Sequence, residues 1–241
     1  MLTTEEPASP NAIQIVSSSE HYAAQMETLM ATVYNLDPHI EENGLFTTAH
    51  FLNHLAIFPE GQFVAVDTAT DTVVGLTVSM RINFNPQEPM LISWWDLIGQ
   101  GWLTTHILRG EWLYGVESAV HPDYQGKGIG KQLTNARLET MRRLNLRGMI
   151  AGSAIISYHK VADTVPVEEY VADVIAGRRF DQNLSKQMKM GFKPLHIIPN
   201  YLPDADCVGY GVEMVIENPA YVPTRKGLPH NKPLAIQPNM G

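Results

Sequence analysis

Apolar side chains recur along this chain at two spacings, and the spacing switches repeatedly. In residues 17–36, SSSEHYAAQMETLMATVYNL, the apolar positions Tyr22, Met26, Leu29, Met30 and Val33 fall three or four apart. That spacing predicts a helix, with the serines as cap candidates. TTAHFLNHLAIF (47–58) predicts a shorter helix that Pro59 stops. IGKQLTNARLETMRRLNL (129–146) sets Ile129, Leu133, Ala136, Met141 and Leu144 on one helical face. Helices are also expected over Val167–Ala176 and over 181–192, the latter ending at Gly191 as a C′ glycine.

Short alternating or wholly apolar runs lie between these helices. AIQIV (12–16), LYGVESAV (113–120), RGMIAGSAII (147–156), LHIIPNYL (195–202) and VGYGVEMVIE (208–217) predict strands. Residues 61–83 alternate on both sides of DTATD and predict an antiparallel hairpin. The segment 91–112 is aromatic and glycine-punctuated, with no clear period. The order is β-α-α-β-β-β-α-β-α-β-β, an α/β class with a mixed sheet. Residues 1–12 suit a flexible lead-in, and the proline-rich stretch from Pro219 suits an extended arm.

Composition narrows the function. The chain has 241 residues, enough for a substantial core, and a net charge of -8, which argues against a broad nucleic-acid face. A single cysteine, Cys207, permits no internal disulfide and suits a reducing compartment. The acidic start carries no secretory signal, and no apolar run reaches the ~20 residues of a membrane helix. A soluble, cytoplasmic protein with no nucleic-acid or membrane partner is expected. No histidine–carboxylate spacing suggests a metal site.

The chemistry concentrates in SAVHPDYQGKGIGKQL (118–133). Gly126, Gly128 and Gly130 alternate with other residues, flanked by Lys127 and Lys131. A P-loop needs one more residue between the outer glycines and a hydroxyl where Gln132 stands. A dinucleotide fingerprint needs glycine where Lys131 stands. The pattern V-x-P-x-x-Q/R-G-x-G-x-G/A between a strand and a helix fits at every specified position, through Val120, Pro122, Gln125 and the three glycines. Glycines let backbone N–H groups turn toward an anion, and the helix beginning near Ile129 adds the positive end of its dipole.

This segment closely resembles the signature of the GNAT acyltransferases. The resemblance covers 13–218 by element order, with loops inserted at 84–112 and 157–180, and implies the GNAT fold: a central, mixed, mostly antiparallel twisted sheet flanked by helices. It implies that Gln125, Gly126, Lys127, Gly128, Ile129, Gly130 and Lys131 cradle the pyrophosphate of acetyl-CoA or another acyl-CoA. It also implies that the backbone at Ser118, Ala119 and Val120 polarises the thioester carbonyl. LYGVESAVHPDYQGKGIGKQL, RRLNLRGMIAG, YHKVAD, EEYV and GFKPLHIIPNYLPD further resemble the GNAT domain found fused ahead of nitrilase-type amidohydrolases. The implied activity is direct transfer of an acyl group to a primary amine. A non-catalytic acyl-CoA-binding module that partners a nitrilase-type protein is the alternative.

Two family positions depart from the pattern. The glutamate often found six residues before the motif valine is replaced by Tyr114, a poor base at neutral pH. Glu117, on the same strand, is the candidate base, provided that a bulge turns it to the acceptor face. The tyrosine often placed four residues before the last helix's glycine is replaced by Gln187, which cannot serve as the acid. Tyr158 and His159 are candidates to take over, although YHK also suits a loop anchor. Trp94, Trp95, Trp102 and Trp112 suit an acceptor wall, core packing or a homodimer interface equally. Asp96, His106 and Glu111 are candidates to orient an amine.

Overall fold

The computed structural model describes residues 13–36 and 46–223. The expected lead-in at 1–12, and the expected arm from 224 onward, lie outside the described residues. Seven strands form one sheet in the order β1-β2-β3-β4-β5-β7-β6. They are β1 (Ile13–Ser17), β2 (Phe63–Asp67), β3 (Thr72–Ile82), β4 (Trp112–Val120), β5 (Gly148–Ala154), β6 (Lys193–Ile198) and β7 (Gly211–Glu217). Neighbours run antiparallel except β4 and β5, which are parallel. The mixed, mostly antiparallel sheet expected from the sequence is thus observed.

Six α-helices cover the sheet: α1 (Ala23–Tyr34), α2 (Thr48–Ile57), α3 (Trp94–Leu97), α4 (Ile129–Arg143), α5 (Val167–Ile175) and α6 (Leu184–Lys189). On one face, Met26, Leu29 and Phe51 pack on Leu76, Trp112 and Tyr114. On the other, Leu138, Met141 and Tyr170 pack on Leu113 and Met149. The split follows the period of two in β4, whose alternate residues serve opposite cores. Helix α4 lies so close to β3 that a Cβ at Gly75 would stand 3.2 Å from both Ile129 and Leu133.

Several boundaries differ from the sequence expectation. The loop 84–111 contains the short helix α3, which the lack of periodicity hid. The last helix starts at Leu184 rather than 181, because Asp181 is spent as a hub. Its buried carboxylate accepts from the N–H groups of Asn183 and Leu184 at 2.9 Å, from Ser157 N–H at 3.1 Å and from the Tyr170 hydroxyl at 3.0 Å. The end of β5, helix α5 and helix α6 are thereby tied together. The first residues of the expected arm from Pro219 are held against the domain: Asn145, in the turn after α4, exchanges two hydrogen bonds with the backbone of Val222. No helix among the described residues is long and apolar enough to cross a membrane.

Replacing Asp181 with alanine strands four donors at once. The expected cost is about 3 kcal/mol or more, read as a lower urea midpoint with an unchanged slope.

Candidate active site

Strand β4 keeps β5 as a neighbour for only four residues. The ladder runs from Trp112↔Gly148 to Gly115↔Ala151 and stops there, while β4 stays paired to β3 through Val120. Backbone groups on the β5 side of 116–120 therefore face a wedge rather than a strand. Within that stretch the register with β3 shifts: Ser79 opposes Gly115, Val78 opposes Glu117, and Val116 is the extra residue. This is a β-bulge. It turns the successive side chains of Val116 and Glu117 toward the α1 face, where Val116 and then Ala119 join the core. The Trp94 indole N–H donates to the Val116 carbonyl at 3.0 Å, so the loop ahead of β4 satisfies the bulged peptide.

The bulge puts Glu117 beside the end of α1. Its carboxylate accepts from the Tyr34 hydroxyl at 3.0 Å and from the Ser118 N–H at 2.7 Å. Burial pushes the Glu117 carboxyl above the usual carboxylate range. The Ser118 N–H, the Tyr34 hydroxyl and the positive charge of Arg137 oppose that shift without cancelling it. Tyr34 responds in kind: the Glu117 charge, and then burial, hold its hydroxyl well above the ordinary tyrosine range. This carboxylate is poised to take a proton at a higher pH than an exposed one would.

The peptide planes decide which amides face the wedge. The Glu117 carbonyl accepts from Thr77 on β3 at 2.8 Å, so the N–H of the same peptide, that of Ser118, points away from β3. The Ala119 carbonyl lies on the β3 side, close to Gly75, so the Val120 N–H also points into the wedge. By alternation the Ala119 N–H points to β3. Of the three polarising candidates Ser118, Ala119 and Val120, the structure thus leaves Ser118 and Val120 with N–H groups facing the wedge.

The glycine segment lies at the wedge mouth. Gly126 and Gly128 adopt φ of +77° and +81° in the left-handed region, with open space where a side chain would be. Gly128 caps α4 with no side chain on the helix's free N–H groups. Gly130 is inside the helix, and Ile129 anchors it as a buried side chain. Gln125 donates to the Val120 carbonyl at 3.2 Å. Lys127 holds its ammonium 4.5 Å from the centre of the Tyr124 ring, and Lys131 is exposed on the first helical turn. Free amides, the helix dipole and two cations at one exposed point can hold a diphosphate.

From this mouth a cavity of 160 Å³ runs inward between α4 and α6, lined by Ser118, Gly130, Arg137, Ala151, Asn183 and Gln187 among others. A broader groove of 720 Å³ lies elsewhere, between β1 and the outer face of α4, and touches none of these groups.

Other candidates stand away from the wedge. The Tyr158 hydroxyl donates to the Val165 carbonyl at 3.0 Å, and its ring is buried against Tyr170 and Tyr210. His159 lies 3.0 Å, through Nδ1, from the Asp206 carbonyl oxygen. Neither lines the cavity. In this structure both hydrogen-bond within the loop instead of facing the cavity. Tyr114 is fully buried, its hydroxyl 3.1 Å from that of Tyr201, and burial pushes it further up. Trp112 is core, Trp94 stacks on Phe46, and Trp102 packs on His50. Asp96 accepts from Ser93 in the cap of α3, Glu111 pairs with Arg147 at 3.0 Å, and His106 accepts from the Arg81 N–H. Cys207 is buried and its thiol is pushed up by that burial, which suits an inert side chain.

Two variants test this geometry. Gly128→Glu forces a side chain into a left-handed position and adds a negative charge. Acetyl-CoA affinity is expected to fall at least about tenfold, roughly 1.4 kcal/mol, by calorimetry. Trp94→Phe keeps the ring but orphans the Val116 carbonyl. A loss of about 1–3 kcal/mol is expected in denaturant melts.

Comparison with known proteins agrees with this geometry. Residues 30–157 match the model of the acetyltransferase (GNAT) family. The chain is 38% identical over 175 residues to the probable hydrolase YhcX of Bacillus subtilis (strain 168), covering 72% of this chain but only 34% of that longer protein. It is 30% identical over 184 residues to YkwB of the same organism, described as an uncharacterized N-acetyltransferase, covering 76% of this chain and 80% of that one. Among solved structures, the GphF GNAT-like decarboxylase in complex with isobutyryl-CoA shares the fold. Its TM-score is 0.69 at 21% identity, over 85% of this chain and 98% of that one. With just over half its length matched to the family model, and most of YkwB matched in turn, the chain belongs to the GNAT acetyltransferase family.

Proposed function

We propose that this acetyltransferase moves an acetyl or other short acyl group from coenzyme A to the primary amine of a small molecule. One observation carries the reading: the Val116 bulge turns the Glu117 carboxylate to the α1 face just where β4 leaves β5. In this mechanism the pyrophosphate sits on 125–131 and the acyl arm enters the wedge. The thioester carbonyl takes the N–H groups of Ser118 and Val120. The Ser118 amide now serves the Glu117 carboxylate. An arriving carbonyl displaces that carboxylate and frees it to receive the proton of the attacking amine. Tyr34, hydrogen-bonded to the same carboxylate, holds it in place.

Glu117→Gln is expected to lower turnover by 10²–10⁴-fold, the usual share of a general base, with little change in acyl-CoA affinity. Activity is expected to fall as the pH drops through the raised Glu117 pKa. Tyr34→Phe removes a donor that favours the ionised form, so the acidic limb should move to higher pH. Turnover by Glu117→Gln equal to the parent across pH 6 to 9 would sink the assignment. The coenzyme half is tested by calorimetric titration with acetyl-CoA, isobutyryl-CoA and a longer acyl-CoA, followed by thiol release across an amine panel.

A second reading has one observation in its favour: the chain corresponds to 34% of a longer relative described as a probable hydrolase. Here the chain binds acyl-CoA without turning it over and serves a nitrilase-type amidohydrolase partner. Coenzyme binding without thiol release for any amine, together with co-purification of such a hydrolase, would favour it over the first.

A further inference from the structure

Helix α4 carries one side chain that its packing does not explain. Arg137 lies on the buried stripe, four residues after Leu133 and four before Met141, and is 7% exposed. It makes no hydrogen bond or ion pair among the described residues, and its Nε is fully enclosed without a partner. The guanidinium lies over Gly115, where an added Cβ would stand 2.7 Å from Nη1. Gly115 is the last β4 residue paired with β5, so Arg137 caps the closed end of the wedge. A buried cation with no partner costs several kcal/mol, and Met or Leu would fill the same stripe at no such cost.

The surroundings say what kind of group completes it. The cavity lining holds no carboxylate and no histidine. Two cations line it, Arg137 at the closed end and the exposed Lys186 of α6 at the side. Glu117 of β4 is near enough to act on Arg137 by charge but forms no ion pair with it. β5 contributes Ala151. Gly130, beside the diphosphate loop, and Arg137 are seven residues apart on α4, about 10 Å along its axis. An arm whose diphosphate rests on the loop brings its sulfur toward the Arg137 end. Gln187, where a proton donor would stand, lines the same cavity and cannot supply one.

We propose that Arg137 is a catalytic residue that receives the thiolate of the departing coenzyme. The inference rests on the acyltransferase reading above. The amine nitrogen attacks the thioester carbon, the C–N bond forms and the C–S bond breaks. The electron pair of that bond goes to sulfur as a thiolate beside the guanidinium. The amine proton goes to Glu117, and the thiolate takes a proton from water after release. The buried charge, eased by Glu117 at a distance but met by no hydrogen bond, is a cost in the free enzyme that is recovered only as negative charge develops on sulfur.

The test needs no acceptor. A cysteine thiol ionises near pH 8.5, and the CoA thiol, without flanking peptide groups, somewhat higher. A cation beside it brings the bound thiol's ionisation down into an accessible range, while acetyl-CoA has no thiol to ionise. Affinities for both are measured by calorimetry from pH 6.5 to 8.5, with thiolate absorbance followed in the CoA complex. CoA is expected to tighten about tenfold relative to acetyl-CoA across that range. Arg137→Met should abolish that gain, leave acetyl-CoA affinity within about threefold, and raise rather than lower the melting temperature of the free protein. Arg137→Lys, which keeps the charge, should retain part of the gain. Parallel curves for the two ligands in the parent, or an undiminished gain in Arg137→Met, would overturn the proposal while leaving the acyltransferase reading intact. If the parent binds neither ligand, both fall together.

Discussion

A strand inside a sheet loses its hydrogen-bond partners if a neighbour turns away, and buried amides left unmet are costly. Strand β4 accepts that condition beyond Gly115, where β5 departs. The protein meets it locally. The Ser118 amide takes the Glu117 carboxylate, the Gln125 amide reaches the Val120 carbonyl, and Trp94 reaches the Val116 carbonyl from the other face. Two of these three contacts come from side chains able to move when a substrate arrives. The site is a gap in the sheet filled by provisional partners.

Its surroundings are far more rigid. Tyr201 lies flat over Gly152 and Gly211, where any side chain would collide with its ring, and its hydroxyl meets that of Tyr114. Trp94 adds a backbone bond to the Tyr201 carbonyl at 2.7 Å. The loop before β4, the bulge and the β6–β7 connection thus brace one another from behind. Asp181 does the same for the α5–α6 side. A carboxylate placed by a bulge needs such bracing, because a register slip of one residue would turn it to the opposite face.

Much of this was legible in the sequence because it rests on backbone chemistry. The spacing of Gly126, Gly128 and Gly130 after Val120 and Pro122 predicts a strand, an anion loop and a helix, and the structure has the strand, a turn with two left-handed glycines and the helix. The alternation of β4 gave its two faces, but a bulge depends on what the neighbours offer, and nothing local marks Val116 as the extra residue. The sequence could offer the chemistry of Tyr158 and His159 but not their place, which the hydrogen bonds to Val165 and Asp206 put in a loop outside the cavity lining. Tyr34 was missed because its partner lies 83 residues away. Arg137 did leave a trace: a charge at i+4 between Leu133 and Met141, where the helical period calls for an apolar residue.

The bonds between Asn145 and Val222 fix where the last described residues lie. They sit just past the C-terminal end of α4, while the diphosphate loop is at its N-terminal end. A helix of 15 residues separates the two by about 22 Å. Residue 223, the last of the described residues, therefore lies at the pole of α4 opposite the glycine loop.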